Sequence, residues 1–410
     1  MTGMRGFTLL WFGQVISLIG SAMTWFAFTI WAWEETGKAS ALATIGFFAF
    51  LPSVLFSPVA GAFVDRWNRK LVMLLSDLAA ALGTLVILLV YTFGDLQLWH
   101  IYLVSVLAGF FTAFQYPAYA AAVTTMLSKE DYARAEGMLG SARALSGILA
   151  PIFAAALLGL VGLSGVMLID LATFLFAFGT LAVIRVPQPA PTEAGRQSRG
   201  SLWREAVFGF EYIRKTPSLR ALTALFMAAG VFLAIGATLM APLVLSGTGN
   251  DESALAAVQS TGAVGGVVGA VILSLWGGTR RRIHNVLLGG VGACLLGILW
   301  LGLGGAVIPW AAGAFFFAFF EPFVEGGNLA LWQAKVPADV QGRVFSARHL
   351  LVQVPYLLGI LAAGYLAEGL AVSSVLVGAG TLGALTFALG YALPAVREAE
   401  SLLPDALETI

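Results

Sequence analysis

Gly61-Ala62-Phe63-Val64-Asp65-Arg66-Trp67-Asn68-Arg69-Lys70 joins two long apolar runs, 40–63 and 71–93. Its charges are crowded into Asp65, Arg66, Arg69 and Lys70, while the runs on either side carry almost none. Each run is long enough to cross a bilayer, which takes about 20 residues. The stretch therefore reads as a short charged turn at one membrane face, with a crossing on each side of it.

The same alternation extends in both directions. Twelve apolar runs lie near 7–33, 40–63, 71–93, 98–127, 137–162, 165–186, 218–246, 252–277, 284–304, 308–334, 342–367 and 371–395. The chain is 59% hydrophobic and 11% charged, against about 45–50% and about 25% for a soluble protein. That is too little charge to cover a surface facing water. The fold class implied is all-α integral membrane, with twelve transmembrane helices. The first run is too long for a cleavable signal peptide and has no small-residue cleavage site.

The net charge is zero, but its distribution is not neutral. With the N-terminus inside, every Lys and Arg except Lys38 falls in a cytoplasmic loop, tail or inner helix end. Glu34, Glu35, Asp95, Asp251, Glu252 and Glu368 fall on the other side. This positive-inside pattern implies an even number of crossings, both termini cytoplasmic, and a bacterial inner membrane as the location.

Between Pro187 and Thr216 the apolar pattern breaks. Pro187, Pro189 and Pro191 lead into Arg196, Ser198 and Arg199, then into a helix from Ser201 to Lys215. Leu202, Ala206, Phe210 and Ile213 share one face of it, which reads as an amphipathic helix lying on the membrane surface. The domains implied are a bundle over 1–186, a linker over 187–217, a second bundle over 218–395 and a tail over 396–410. The two halves repeat. Pro117 aligns with Pro322, and Ser141-Ala142-Arg143 with Ser346-Ala347-Arg348, both at an offset of 205, half of the 410 residues. Parallel six-helix repeats, giving two pseudo-symmetric six-helix bundles, are a transporter design with the substrate site near the midplane.

Several function classes lose support. Cys294 is the only cysteine, and His100, His284 and His349 are scattered, so no metal cluster is expected. Gly37-Lys38 is no phosphate loop, because Ala32 and Ala39 stand where Gly and Ser or Thr are required. An enzyme would need a nucleophile–base pair or a metal-ligand cluster, and a receptor on a transporter scaffold would carry a long soluble appendage. No cofactor, no metal and no nucleic-acid partner is expected. The expected partners are a small-molecule substrate, protons and the lipid bilayer, and the protein is expected to be a monomer.

The opening stretch resembles the loop 2–3 signature of the major facilitator superfamily, G-x-x-x-D-R-x-G-R-[RK], carried here by Gly61, Asp65, Arg66, Arg69 and Lys70. Asn68 replaces the second Gly; Asn is the non-Gly residue most at ease in a left-handed conformation, so the turn is expected to survive. The second half keeps only Gly277-Gly278-Thr279-Arg280-Arg281-Arg282. The resemblance makes the loop a cytoplasmic gate, with Asp65 latching onto the positive dipole end of segment eleven; the alternative is that these charges only set topology. Ser146, Ala150, Pro151, Ala154 and Ala155 match the antiporter signature in outline, with every Gly replaced, and close packing explains them equally. Leu10-Trp11-Phe12-Gly13-Gln14 with Ser17, Val336-Pro337-Ala338-Asp339 and Gly342-Arg343-Val344-Phe345-Ser346 resemble the macrolide-efflux and enterobactin-exporter branch. The resemblance implies a proton-coupled exporter of an amphipathic small molecule, working by alternating access; an importer or lipid flippase of the same fold is the alternative.

Polar stripes mark the candidate path. Gln14, Ser17, Ser21 and Thr24 share one face of segment one; Thr112, Gln115, Tyr116 and Tyr119 one face of segment four; His349, Gln353 and Tyr356 one face of segment eleven. Such stripes face water or protein, either as a cavity lining or as interhelical hydrogen bonds. In segment ten Glu321, Glu325, Asn328 and Trp332 are spaced i, i+4, i+7, i+11. Two carboxylates one turn apart that exchange protons make a coupling site, with His349 beside them; the alternative is an ion pair from Glu321 or Glu325 to Arg343 or Arg348. The substrate path is thus assigned to Gln14, Gln115, Tyr116, Tyr119, Asn328 and Gln353, and proton coupling to Glu321, Glu325 and His349. Asp77 and Asp170 read as structural.

Overall fold

With no water in hydrocarbon to satisfy N–H and C=O groups, an apolar run that crosses a bilayer closes its hydrogen bonds within itself, as a helix does. The computed structural model describes residues 3–64, 67–184, 186–187, 202–337 and 340–400, with the backbone alone at 58, 61, 62 and 202–206. Every regular element among them is helical. In chain order they are α1 (Gly3–Thr36), α2 (Ala39–Val64), α3 (Arg69–Phe93), α4 (Leu98–Met126), α5 (Tyr132–Val183), α6 (Leu202–Lys215), α7 (Pro217–Thr248), α8 (Glu252–Trp276), α9 (Arg282–Leu303), α10 (Val307–Lys335), α11 (Gln341–Gly369), α12 (Val372–Ala392) and the short α13 (Pro394–Arg397). Within α9 the stretch Ala293–Leu299 is wound as a π-helix.

Eleven of these helices are long and apolar enough to span a membrane, one fewer than the sequence implies. The difference lies in α5. Its 52 residues would reach roughly 78 Å at 1.5 Å per residue, far more than the ~30 Å of a hydrocarbon core. The helix breaks at Gly162, where φ 66° and ψ −176° suit a residue without Cβ. Contacts with α1 give the directions of the two arms. Trp11 Nε1 donates to Met138 O (2.6 Å) and Ser146 Oγ to Leu18 O (3.2 Å), so the first arm runs parallel to α1. Gly13 lies against Thr180 and Gly20 against Thr173, so the second arm runs antiparallel. The chain reverses at Gly162, and α5 supplies crossings five and six.

The chain divides into two compact units, Met1–Gly37 with Thr44–Arg199, and Lys38–Ala43 with Gly200–Ile410. The second unit repeats the internal plan of the first. Gly230 of α7 lies against Val352 and Tyr356, and Gly359 against Val231 and Ala234, so α7 runs parallel to α11. Phe226 meets Phe387 with ring centroids 6.3 Å apart, and Gly383 meets Phe232, so α7 runs antiparallel to α12. The segment 38–43 is held in the second unit by a hydrogen bond from Ser40 Oγ to the Glu368 carboxylate.

The amphipathic linker helix forms, as α6, and the Phe210–Ile213 end of its apolar face is covered by protein rather than left to the membrane surface; Leu202 and Ala206 are described in backbone only. Ile213 is buried with Leu219, Trp332, Val336, Val344 and Ala347, and Phe208, Phe210 and Tyr212 lie against this cluster. Gly209 lets the α6 backbone touch Arg343 O, and the Arg343 guanidinium stands 5.8 Å from the Phe208 ring centroid. Apolar surface points outward elsewhere: Leu275 is 84% exposed and Phe93 83%. The protein is a multi-pass membrane protein, and lipid is the solvent such a surface requires.

Helix contact in a membrane rests on small residues that let backbones approach. A Cβ at Gly265 or Gly269 of α8 would overlap the carbonyl oxygens of Phe315 and Phe319 on α10, whereas one at Gly266 would meet Ala318 O at an ordinary 3.7 Å. Overpacking of this kind costs about 1–3 kcal/mol. We expect Gly269→Ala to lower the melting temperature of the detergent-purified protein by several degrees and Gly266→Ala to leave it unchanged. Equal shifts would show that α8 and α10 are not in backbone contact.

Candidate functional site

The polar stripe of α1 does not face lipid. It meets α3, α4 and the second arm of α5 around two aspartates. Asp77 of α3 is 6% exposed; its Oδ2 accepts from Gln14 Nε2 at 3.0 Å and its Oδ1 from Gln115 Nε2 at 2.6 Å. Asp170 is 4% exposed; its Oδ1 accepts from Ser21 Oγ and its Oδ2 from Thr84 Oγ1, both at 3.1 Å. Among the described residues neither carboxylate has a cation at ion-pair distance. A charge at mid-bilayer costs about 2.5–3.5 kcal/mol on the insertion scale, and here only neutral donors offset it.

Both carboxylates line one cavity of about 340 Å³, with Gln14, Ser17, Ser21, Thr24, Thr84, Thr112 and Gln115 in its wall. A second cavity, of about 190 Å³, is lined by Trp11, Gln14, Thr112, Gln115, Tyr116, Tyr119, Glu136 and Arg143. Gln14, Leu18, Thr112 and Gln115 belong to both walls and so form the partition. The bond from Trp11 Nε1 to Met138 O fixes one side of the smaller cavity. Arg143 stacks over Tyr116 at 5.4 Å, an attraction between guanidinium and ring face.

Four path residues named from sequence, Gln14, Gln115, Tyr116 and Tyr119, are therefore brought together in the first unit. The sequence reading set Asp77 and Asp170 aside. The missed signal was local: Asp77 and Thr84 stand seven residues apart on α3, two turns along one face of an apolar helix. In the second unit the spacing 321, 325, 328, 332 does not give one uniform face. Glu321 and Glu325 are exposed, while Asn328 and Trp332 are fully covered, because Trp332 sits in the cluster where α6 and α11 close over α10. Asn328 Oδ1 and Nδ2 have no hydrogen-bond partner among the described residues. Glu325 stands 4.0 Å from Arg348, and Arg348 in turn lies over the rings of Trp332 (5.3 Å) and Phe226 (5.9 Å). His349 is exposed and Gln353 half-buried on α11.

Asp65 and Arg66 of the loop lie outside the described residues, and Gly61 is described in backbone only, within α2. Arg69 and Lys70 tie helix ends together inside the first unit. Arg69 Nη1 donates to Ala121 O of α4 at 2.7 Å, and Lys70 Nζ donates to Ala182 O and Ile184 O at 2.8 and 2.7 Å. Ala182 O and Ile184 O lie at the C-terminus of α5, where intrahelical donors run out and the dipole end is negative; Ala121 O lies within the last two turns of α4. The second unit repeats the device: Arg282, first residue of α9, donates from Nη1 to Ala330 O of α10 at 3.2 Å. Asn68 is not left-handed, as the sequence reading supposed. It has φ −68° and ψ 111°, and its side chain N-caps α3 by accepting from Leu71 N–H.

The family model described as Major Facilitator Superfamily matches residues 10–360. The chain is 27% identical over 391 residues to Macrolide efflux protein A of Streptococcus pyogenes, covering 92% of this chain and 93% of that protein. It is 24% identical over 389 residues to Multidrug efflux pump Tap of Mycolicibacterium fortuitum, covering 88% of each. Among solved structures, the crystal structure of a POT family transporter in complex with 5-aminolevulinic acid matches with a TM-score of 0.72 over 94% of this chain and 95% of that one, at 12% identity, a likeness of fold alone.

Loss of an N-cap side chain costs about 1 kcal/mol when Ala replaces it and only a few tenths when Gly does. Asn68→Ala is therefore expected to lower the melting temperature measurably, and Asn68→Gly and Asn68→Asp to lower it little. If Asn68→Gly is as damaging as Asn68→Ala, the Asn68 cap does not stabilise α3.

Proposed function

The chain belongs to the Major Facilitator Superfamily, and we propose that it is a proton-coupled exporter of amphipathic organic molecules, working by alternating access in a bacterial inner membrane with both termini cytoplasmic. Its family and its relatives are transporters, and the relatives named above are efflux proteins. The observation that carries the reading is the pair of adjoining cavities in the first unit. One is walled by aromatic rings and amides, which suit an amphipathic molecule, and the other holds two carboxylates met only by neutral donors. A macrolide, the substrate class in the name of the Streptococcus pyogenes relative, combines a large apolar ring with an amine-bearing sugar and is the first compound to test.

In the second unit Glu321, Glu325 and His349 take up and release protons. Glu321 and Glu325 stand one turn apart on an open face of α10, and Arg348 approaches Glu325 only at the edge of ion-pair distance. Gln14, Gln115, Tyr116, Tyr119 and Gln353 line the substrate path, which Asn328, fully covered here, joins only if α6 and α11 open over α10, and the loop carrying Gly61, Asp65, Arg66, Arg69 and Lys70 gates it from the cytoplasm. Each proton moving inward supplies about 2.3 kcal/mol per 100 mV of membrane potential.

The test uses energised inverted vesicles containing the protein. Addition of a macrolide, or of the dye ethidium, should partly collapse the pH gradient and lead to accumulation of the compound in the lumen. Accumulation in energised right-side-out vesicles instead would make the protein an importer. Glu321→Gln and Glu325→Gln should each abolish accumulation driven by the pH gradient while leaving downhill exchange intact, because the amide keeps the shape of the carboxyl. A double variant that still accumulates substrate would remove the pair from coupling.

Orientation has its own check. In a Cys294→Ala background, cysteines at Ser198 and Thr279 should react with an impermeant maleimide only from the cytoplasmic side, and cysteines at Lys38 and Gly249 only from the outside. Labelling of both sets from one side would overturn the topology.

A further inference from the structure

The wall between the two cavities of the first unit is made largely of amides. Gln14 and Gln115 line both spaces, and both hold Asp77. We propose that Asp77 is a proton site and that Gln14 and Gln115 transmit its charge state to the aromatic pocket, making that pocket an acceptor of amine cations when Asp77 is ionised and a poor one when it is protonated. For its use in transport the proposal rests on the proton-coupled reading above; its chemistry stands on the geometry of the first unit alone.

An ionised carboxylate can only accept hydrogen bonds. Both glutamines therefore turn Nε2 to Asp77, at 3.0 and 2.6 Å, which leaves the carbonyl oxygen of each off Asp77, on a side chain that also lines the pocket. When a proton from bulk water binds Oδ1 or Oδ2, that oxygen becomes a donor and faces an amide that also donates. A half-turn of the amide restores the bond. Its carbonyl oxygen then accepts from the new O–H, and its nitrogen goes to the pocket side. The pocket trades an acceptor for a donor, and no other chemistry is needed.

The rest of the pocket favours a cation in the first state. Trp11 and Tyr119 add aromatic rings to the wall, and ring faces attract ammonium groups. Arg143, stacked on Tyr116, is the cation of that wall, and the Glu136 carboxylate balances its charge. On the Asp77 side α1 presents Gln14, Ser17, Ser21 and Thr24, α4 presents Thr112 and Gln115, and α5 presents Asp170, the other titratable group of the cavity, which Ser21 and Thr84 hold. Thr24, 2% exposed, lines the same space beside Asp170, and at about 340 Å³ that space is roomy enough for the water that would carry the proton.

Infrared difference spectra of the purified protein in lipid, recorded across a step from mildly alkaline to mildly acidic pH, test this without transport. In wild-type protein with ¹³C-carboxyl aspartate or ¹³C-amide glutamine, an aspartate C=O band and a glutamine amide shift should appear together. Asp77→Asn should lose both. The double variant Gln14→Leu, Gln115→Leu should lose the amide shift and keep the aspartate band, and Asp170→Asn should keep both. An aspartate band that survives Asp77→Asn, an amide shift without Asp77, or no aspartate band in the labelled wild type would overturn the proposal. The labelled wild type needs no variant, so poor folding of Asp77→Asn cannot rescue it: an aspartate band with no accompanying glutamine shift also overturns the relay. Protein that shows both bands but collapses no pH gradient would sink the export reading alone. Protein that transports without them would sink this proposal alone.

Discussion

A polar group in hydrocarbon is costly unless the protein itself meets it, and most features of this chain follow from that constraint. It makes every membrane-length run a helix. It drives Arg69, Lys70 and Arg282 toward helix ends, where their charge meets backbone carbonyls of neighbouring helices. It also gives meaning to exceptions. Asp77 and Asp170 each bring a charge into the first unit, and each is met at both oxygens by side chains from other helices. Nothing about packing requires a carboxylate there; Leu or Ala would cost less. Residues that cost stability and are met by convergent donors are where function is to be sought.

The contacts between helices obey the same solvent. Lipid tails are as apolar as the helix surfaces, so the hydrophobic effect does little to bring helices together, and close backbone approach has to do it. Gly265 and Gly269 against α10, and Gly13 and Gly20 against the second arm of α5, are the places where a side chain would hold the helices apart. In the first unit, Gly13 and Gly20 between α1 and α5, with Gly83 of α3 against Val104 of α4, hold the helices around Asp77 closely enough for two amides on different helices to reach one carboxylate.

The class of fold was legible because it depends on run length and charge asymmetry, both local. The repeat was legible because Pro117 and Pro322, and Arg143 and Arg348, kept their spacing. The break between crossings five and six was legible too, since the apolar runs 137–162 and 165–186 part at the point where Gly162, at φ 66°, interrupts the helix. The role of Asn68 was misread because Asn suits both a left-handed turn and an N-cap, and only the backbone decides between them. The stripe on α10 was read as one face because helical spacing takes no account of what covers the helix; α6 and α11 cover its inner end and leave Glu321 and Glu325 open. The partners of Asp77 and Asp170 were not legible beyond the seven-residue spacing of Asp77 and Thr84, because they come from α1, α3 and α4 and convergence of several helices leaves no spacing in the sequence.

The repeated arginines show how far the two units have diverged on a common plan. Arg143 and Arg348 occupy equivalent positions, and both lie over aromatic rings: Tyr116 in the first unit, Trp332 and Phe226 in the second. A ring face is an apolar partner that still attracts a cation, so it suits a guanidinium placed among membrane helices. Their acids differ. Glu136 shares the Arg143 pocket from the same helix, two turns earlier, whereas Glu325 reaches Arg348 from α10. In the first unit the acid and base are locked to one helix, and the cavity behind them holds two further carboxylates with neutral partners. In the second the pair joins α10 to α11. The same repeated arginine thus has its acid within one helix in the first unit and across two helices in the second.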